Sequence, residues 1–198
     1  HAKTVKDKLD AADISVCMYG SPIGKIDIAD DFEIDMNRLK HLGKLKPILG
    51  ATAVRMFSYF NKDGATPADA YRTEAVRRVE ELTKLAGDLG LVLYHENESH
   101  IFGEKLAEVC VLRDEIRANY DHFKLIFDFD NYNAVKDDVW ANWLELRDTT
   151  DAIHLKDSKW FGDTKCHVPA GEGDGRIPEI LADAADRGWA RPLTLEPH

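Results

Sequence analysis

The hydrophobic pattern of this chain switches period repeatedly, from unbroken apolar runs to helix-spaced stripes and back, and few folds accept that alternation. Runs at Ile14 to Tyr19, Ala53 to Tyr59, Leu91 to Glu96, Lys124 to Asp128, Ala152 to Leu155 and Leu193 to Glu196 read as strands. Helical stripes lie between them. Thr66 is placed to cap a helix that starts on Pro67, buries Tyr71, Ala75, Val79, Leu82 and Leu85, and stops at Gly90. Pro178 and Gly188 bracket another around Ile180, Leu181 and Ala184. Further helices are expected from Leu106 to Tyr120, from Val139 to Leu146, and from about Asp31 to Leu49, the last kinked or ended by Pro47. Such βα units imply a parallel sheet, and the expected fold is a TIM-type (β/α) barrel.

The strand count qualifies that expectation. A closed barrel has eight strands and about 250 residues, whereas this chain offers six runs in 198 residues. A helix at Thr4 to Ala12 precedes the first run, and the last run meets the end of the sequence. The expectation is therefore a single domain over residues 1–198, an incomplete barrel without its first two strands and last helix, with two strand edges unpaired. A complete open sheet is the rival arrangement.

Composition narrows the partners. With 26 basic and 36 acidic residues the net charge is −10, which repels phosphate backbones and acidic membranes, so nucleic acid is not an expected partner. No stretch approaches the roughly 20 apolar residues of a membrane span. Cys17, Cys110 and Cys166 are odd in number and widely spaced, which suits reduced thiols in a cytoplasmic setting.

The chemistry sits at the strand ends. Glu96, Asp128, His154 and Glu196 each close or follow one of the apolar runs. A parallel barrel gathers the C-terminal ends of its strands in one ring. Three carboxylates and an imidazole form a mainly oxygen donor set for a divalent ion, Mn²⁺ first, with Mg²⁺, Co²⁺ or Zn²⁺ as alternatives. Strand alternation places Asp130 on the same face as Asp128, so periodicity leaves both as ligands to choose from. Arg55 is a charge inside an apolar run and needs either an acidic partner or a ligand. The loop Cys166 to Gly175 is rich in glycine, which allows close backbone approach or an anion cradle, yet it carries Glu172 and Asp174. It reads as a lid or substrate loop, with a plain connection as the alternative, and it matches no nucleotide fingerprint. His41, His95 and His122 read as packing or surface histidines, and the acidic stretch Asp27 to Asp35 as solvated turns and helix starts.

From Gly20-Ser21-Pro22 to its end the chain resembles the sugar phosphate isomerase/epimerase family of xylose isomerase-like barrels. The motifs are Arg55-Met56-Phe57-Ser58, His95-Glu96-Asn97, Phe127-Asp128-Phe129-Asp130-Asn131, His154-Leu155-Lys156-Asp157, Pro169-Ala170-Gly171-Glu172-Gly173 and Leu195-Glu196-Pro197-His198. The resemblance implies metal ligation by Glu96, Asp128, His154 and Glu196, choosing Asp128 over Asp130, and an acid/base pair of Glu96 and Glu196. Many such epimerases carry histidine where this chain has Asn131. The implied activity is isomerisation or epimerisation of a ketose or sugar phosphate, by proton transfer through a metal-stabilised enediolate. Asn131, Lys156, His167, Glu172 and Arg55 are the expected substrate contacts. The partner is then a small-molecule sugar, and self-association into a homo-oligomer is left open. Two rivals stand beside it: a metal-dependent dehydratase of a keto-inositol or sugar, and a sugar-binding barrel without turnover. The AP endonucleases that share this fold need a histidine-rich multi-metal site and a basic DNA face, which this acidic chain does not offer.

Overall fold

All six apolar runs become strands of one sheet in the computed structural model, which describes residues 1–196. Pro197 and His198, the end of the last motif, lie outside the described residues. The strands are β1 (Met18–Gly20), β2 (Ala53–Met56), β3 (Val92–Glu96), β4 (Phe123–Asp128), β5 (Ala152–Leu155) and, after the hairpin strands β6 (Ser158–Phe161) and β7 (Thr164–His167), β8 (Leu193–Leu195). The sheet order is β1-β2-β3-β4-β5-β8, with every neighbouring pair parallel. This half-barrel of six strands does not close on itself; β1 and β8 are its edges.

Among the described residues seven α-helices accompany the sheet: α1 (Ala2–Ala11), α2 (Glu33–Leu49), α3 (Ala68–Leu89), α4 (Leu106–Leu112), α5 (Phe129–Ala134), α6 (Val139–Leu146) and α7 (Ile177–Asp186). One continuous core joins all of them except α1 to the strands. Val54, Met56, Leu93, Phe127 and Ile153 from the sheet meet Leu39, Val79, Leu82, Leu112, Trp143 and Ile180 from the helices. Phe127 is its aromatic centre, with ring centroids of Tyr132 and Trp143 at 5.0 and 5.4 Å. The period switches therefore had a physical origin: helices cover the sheet and the inner strands β3, β4 and β5 are buried along most of their length, whereas the edge strand β8 leaves Leu193 and Leu195 exposed.

Several local expectations need correction. The first strand is shorter than Ile14 to Tyr19, because Ile14 is turned back on α1, its N–H donating to the Leu9 carbonyl. Thr66 does not cap α3; its N–H donates to Asn61 Oδ1 and Pro67 occupies the cap position. Pro47 neither ends nor shortens α2, which runs on to Leu49 before Gly50 stops it in the left-handed region. So close to the helix end, the hydrogen bond lost at Pro47 and the crowding of the preceding turn by its ring do not stop the last turn from forming. The helix beginning at Leu106 gives way to a π-helical turn at Arg113–Arg117. Asp35 is not in a solvated helix start but fully buried, accepting from Gly24 N at 2.8 Å and Arg38 Nη1 at 2.8 Å.

Candidate metal centre

The register of the sheet brings the strand ends together. Asp128 pairs directly with His154 across β4 and β5, and Glu96 is the last residue of β3 on the other side of β4. Glu196 follows β8, where its N–H donates to the Leu155 carbonyl at 3.1 Å. One ligand atom from each of Glu96, Asp128, His154 and Glu196 lies within 4.8 Å of the others. Glu96, Asp128 and His154 are buried, and Glu196 is partly exposed.

His154 Nδ1 is the hub of the group, at 3.1 Å from Glu96 Oε1, 3.5 Å from Glu196 Oε1 and 4.0 Å from Asp128 Oδ2. Burial by itself would lower this imidazole, but its hydrogen bonds to Glu196 and Glu96 outweigh burial and raise it to about 9. The same hydrogen bond with His154 holds Glu196 down to about 2. Burial pushes Asp128 up to about 7 against the opposing pull of Lys156.

Two basic side chains brace the carboxylates. Arg55 Nη1 donates to Glu196 Oε1 at 2.7 Å and lies 3.3 Å from Glu96 Oε2, so the charge inside β2 has acidic partners. Lys156 Nζ is 3.1 Å from Asp128 Oδ2 and donates to Asn131 Oδ1 at 3.0 Å. Even so, Glu96 Oε2 and Asp128 Oδ2 are buried oxygens without a hydrogen bond among the described residues. Buried carboxylate oxygens held only by ion pairs, beside an imidazole nitrogen, are what a divalent cation would bind. The four residues fit such an ion.

The centre opens into a cavity of about 560 Å³ lined by Lys25, Arg55, Glu96, Glu98, Asn131, Lys156, Lys165, His167 and Glu196 among others. Arg55, Asn131, Lys156 and His167, all anticipated as substrate contacts, meet there. Glu172 is exposed and is not among the lining residues. Asn131 is tied into the wall: its N–H donates to Asp128 Oδ1 at 2.8 Å and its side-chain amide to the Asn97 carbonyl at 2.8 Å. Asp130 stands apart from the four ligands and faces Ser158, Lys165 and His167 instead.

The glycine-rich loop is anchored by a protein carboxylate. Its backbone N–H groups at Gly171 and Gly173 donate to Asp157 Oδ2 at 2.9 Å each, and Gly175 N donates to Oδ1 at 3.1 Å. The anion cradle suggested by the glycines exists, and a protein carboxylate fills it. A Cβ on Gly173 would sit 2.3 Å from Asp157 Oδ1, so only glycine permits this approach. The start of the same segment forms the β6–β7 hairpin, which delivers Lys165 and His167 to the cavity. Sequence reasoning missed Lys165, because the hairpin is polar, short and without a periodic signature.

No curated protein sequence matches the chain. Among solved structures it is similar to the probable 3-DHS dehydratase AsbF from Bacillus anthracis, at 19% identity and a TM-score of 0.78, covering 98% of this chain and 74% of that one. It is similar to the IOLI protein with a binding zinc atom at 13% identity and a TM-score of 0.79, covering 98% and 72%. A third likeness is to the D-allulose 3-epimerase from Methylomonas sp. in complex with D-allulose, at 15% identity and a TM-score of 0.72, covering 98% and 68%. At these identities the likeness is one of fold. The family described as xylose isomerase-like TIM barrel matches residues 1–198, and the chain belongs to that family.

Proposed function

We propose that this chain is a divalent-metal-dependent isomerase or epimerase of a ketose or sugar phosphate, moving a proton next to a carbonyl. The observation that carries the reading is the meeting of four ligand atoms from Glu96, Asp128, His154 and Glu196 within 4.8 Å, at the mouth of a polar cavity. Mn²⁺ is the first choice for the ion, with Mg²⁺, Co²⁺ or Zn²⁺ as alternatives; the zinc of the IOLI protein shows that a related barrel accepts a divalent metal.

When bound, such an ion polarises the substrate carbonyl and offsets the negative charge that develops beside it. Glu96 and Glu196 reach the site from strands on opposite sides of β4 and β5, and we assign them the removal and return of the proton. Inverting a stereocentre needs a base on each face. Arg55 holds Glu196 in place through its 2.7 Å hydrogen bond, and Lys156 adds positive charge beneath the reacting oxygens. Asn131, Lys156 and His167 line the space the substrate would fill. The D-allulose bound by the Methylomonas epimerase supports a sugar as partner. No described helix is long and apolar enough to cross a membrane. Free thiols at Cys17, Cys110 and Cys166 support a reducing, cytoplasmic setting.

The test is exchange of solvent deuterium into ketoses with Mn²⁺ present. The parent is expected to exchange and Glu196→Gln to lose the reaction by at least about a hundredfold; equal rates would remove Glu196 from its role. A dehydratase is the second reading, favoured by the likeness to the probable 3-DHS dehydratase. Product mass separates the two, since only the dehydratase loses water.

A further inference from the structure

We propose that the hairpin side of the cavity is a hydroxyl clasp, formed by Asp130 and Lys165, and that the site therefore takes unphosphorylated ketoses in preference to their terminal phosphates. The inference deepens the proposed function by naming the substrate class, and it rests on that reading for the ketose itself.

Charge pairing in the cavity wall carries the argument. Four basic side chains line the cavity, Lys25, Arg55, Lys156 and Lys165, and each has a carboxylate of its own. Arg55 and Lys156 serve the metal centre through Glu196 and Asp128. Away from the centre, Lys25 Nζ lies 2.9 Å from Glu98 Oε2, and Lys165 Nζ lies 2.9 Å from Asp130 Oδ2. These two pairs are locally neutral. A terminal phosphate brings nearly two negative charges near neutral pH and would have to pull a lysine from its partner, leaving a carboxylate facing it.

Hydroxyl groups make no such demand. A sugar hydroxyl both donates and accepts, so one hydroxyl can donate to the carboxylate and accept from the ammonium of the same pair. The pair is also built for the purpose. Asp130 is almost wholly buried, with Oδ1 accepting from the Ser158 hydroxyl, while Oδ2 is turned toward Lys165 and His167. Ser158 is itself fixed, its carbonyl accepting from Asn133 Nδ2 at 2.9 Å and its N–H donating to Asp157 at 3.0 Å. Lys165 arrives from β7, in the β6–β7 hairpin outside the main sheet, so the hairpin's placement decides whether the clasp exists. A cavity of about 560 Å³ lies within the roughly 300–1,000 Å³ of small-molecule sites.

The experiment is calorimetric titration of the Mn²⁺-loaded protein with D-fructose and with D-fructose 6-phosphate. The parent is expected to bind the free ketose more tightly. Asp130→Asn leaves Lys165 without its counter-charge, so it should weaken the free ketose by roughly tenfold and tighten the phosphate, reversing the preference. Lys165→Met, on an exposed hairpin where folding is easily checked by circular dichroism, should weaken the free ketose without any gain for the phosphate. A parent that prefers the phosphate or binds neither ligand, or an Asp130→Asn protein that keeps the parental ratio, overturns the proposal. Because binding is read without turnover, absence of deuterium exchange would defeat the proposed activity and leave this preference standing.

Discussion

His154 Nδ1 lies 3.1 Å from Glu96 Oε1, although 58 residues separate the two in the chain. The proton that this contact retains, with His154 raised to about 9, stands where a metal–nitrogen bond would form. Ligation requires the neutral imidazole, so the proton must leave as an ion enters. Mn²⁺ binding at pH 7 is therefore expected to release at least about one proton per ion, with a further fraction from Asp128, which is raised to about 7 by burial. Apparent affinity should climb about tenfold per pH unit for each proton released and level off above about 9. Calorimetry in buffers of different ionisation enthalpy checks this; a heat independent of the buffer would contradict it.

Lys156 makes a second prediction. Its ammonium is buried against Asp128 Oδ2 at 3.1 Å and Asn131 Oδ1 at 3.0 Å. Lys156→Met leaves a buried carboxylate group without its cation, a change that costs about 3–5 kcal/mol in comparable pairs. A divalent ion would replace part of the lost charge. Thermal unfolding should show a large loss for the variant in EDTA and a clearly smaller one with Mn²⁺. Equal losses under both conditions would show that Lys156 does not act through the carboxylates.

Why some of this was readable in the sequence and some was not follows from range. Glu96, Asp128, His154 and Glu196 could be seen because each interrupts an apolar run at its end, and parallel strands of similar length align those ends. The π-helical turn at Arg113–Arg117 and the burial of Asp35 depend on partners from other elements, such as the Gly24 N–H, and leave no local periodicity. The β6–β7 hairpin pairs only with itself, so neither of its faces needs an apolar alternation. The glycines after His167 did signal a close backbone approach. What they approach, Asp157, is fixed by tertiary folding.

That cradle supplies a third prediction. The two oxygens of Asp157 divide four N–H donors between them, Gly171 and Gly173 on Oδ2, Ser158 and Gly175 on Oδ1. Asp157→Asn keeps the shape but turns one acceptor into a donor that faces backbone N–H groups. With unsatisfied buried donors at about 1–3 kcal/mol each, the variant should lose at least about 2 kcal/mol in urea unfolding and become open to proteolysis between Gly171 and Gly175. Unchanged protease resistance would mean that the loop is held by other contacts.

The last prediction concerns His95, the neighbour of Glu96 on β3. It is fully buried, with Nε2 2.8 Å from the Ser58 hydroxyl and Nδ1 without a hydrogen bond among the described residues. Burial lowers it from 6.5 to about 3, so the folded protein holds it neutral where the unfolded chain would protonate it. The unfolded state then binds more protons between these values, and stability must fall as pH falls. The contribution of His95 is complete above about pH 6.5 and is lost toward pH 3, at a slope of up to about 1.4 kcal/mol per pH unit. Urea unfolding of the parent and of His95→Gln between pH 8 and pH 4 isolates it. The variant starts less stable, because the imidazole packing against Phe123 is gone, but its profile below pH 6.5 should be flatter by about that slope. Parallel profiles would show that His95 takes up its proton as readily in the folded protein as in the unfolded chain, which its enclosed position between Ser58 and Phe123 does not allow.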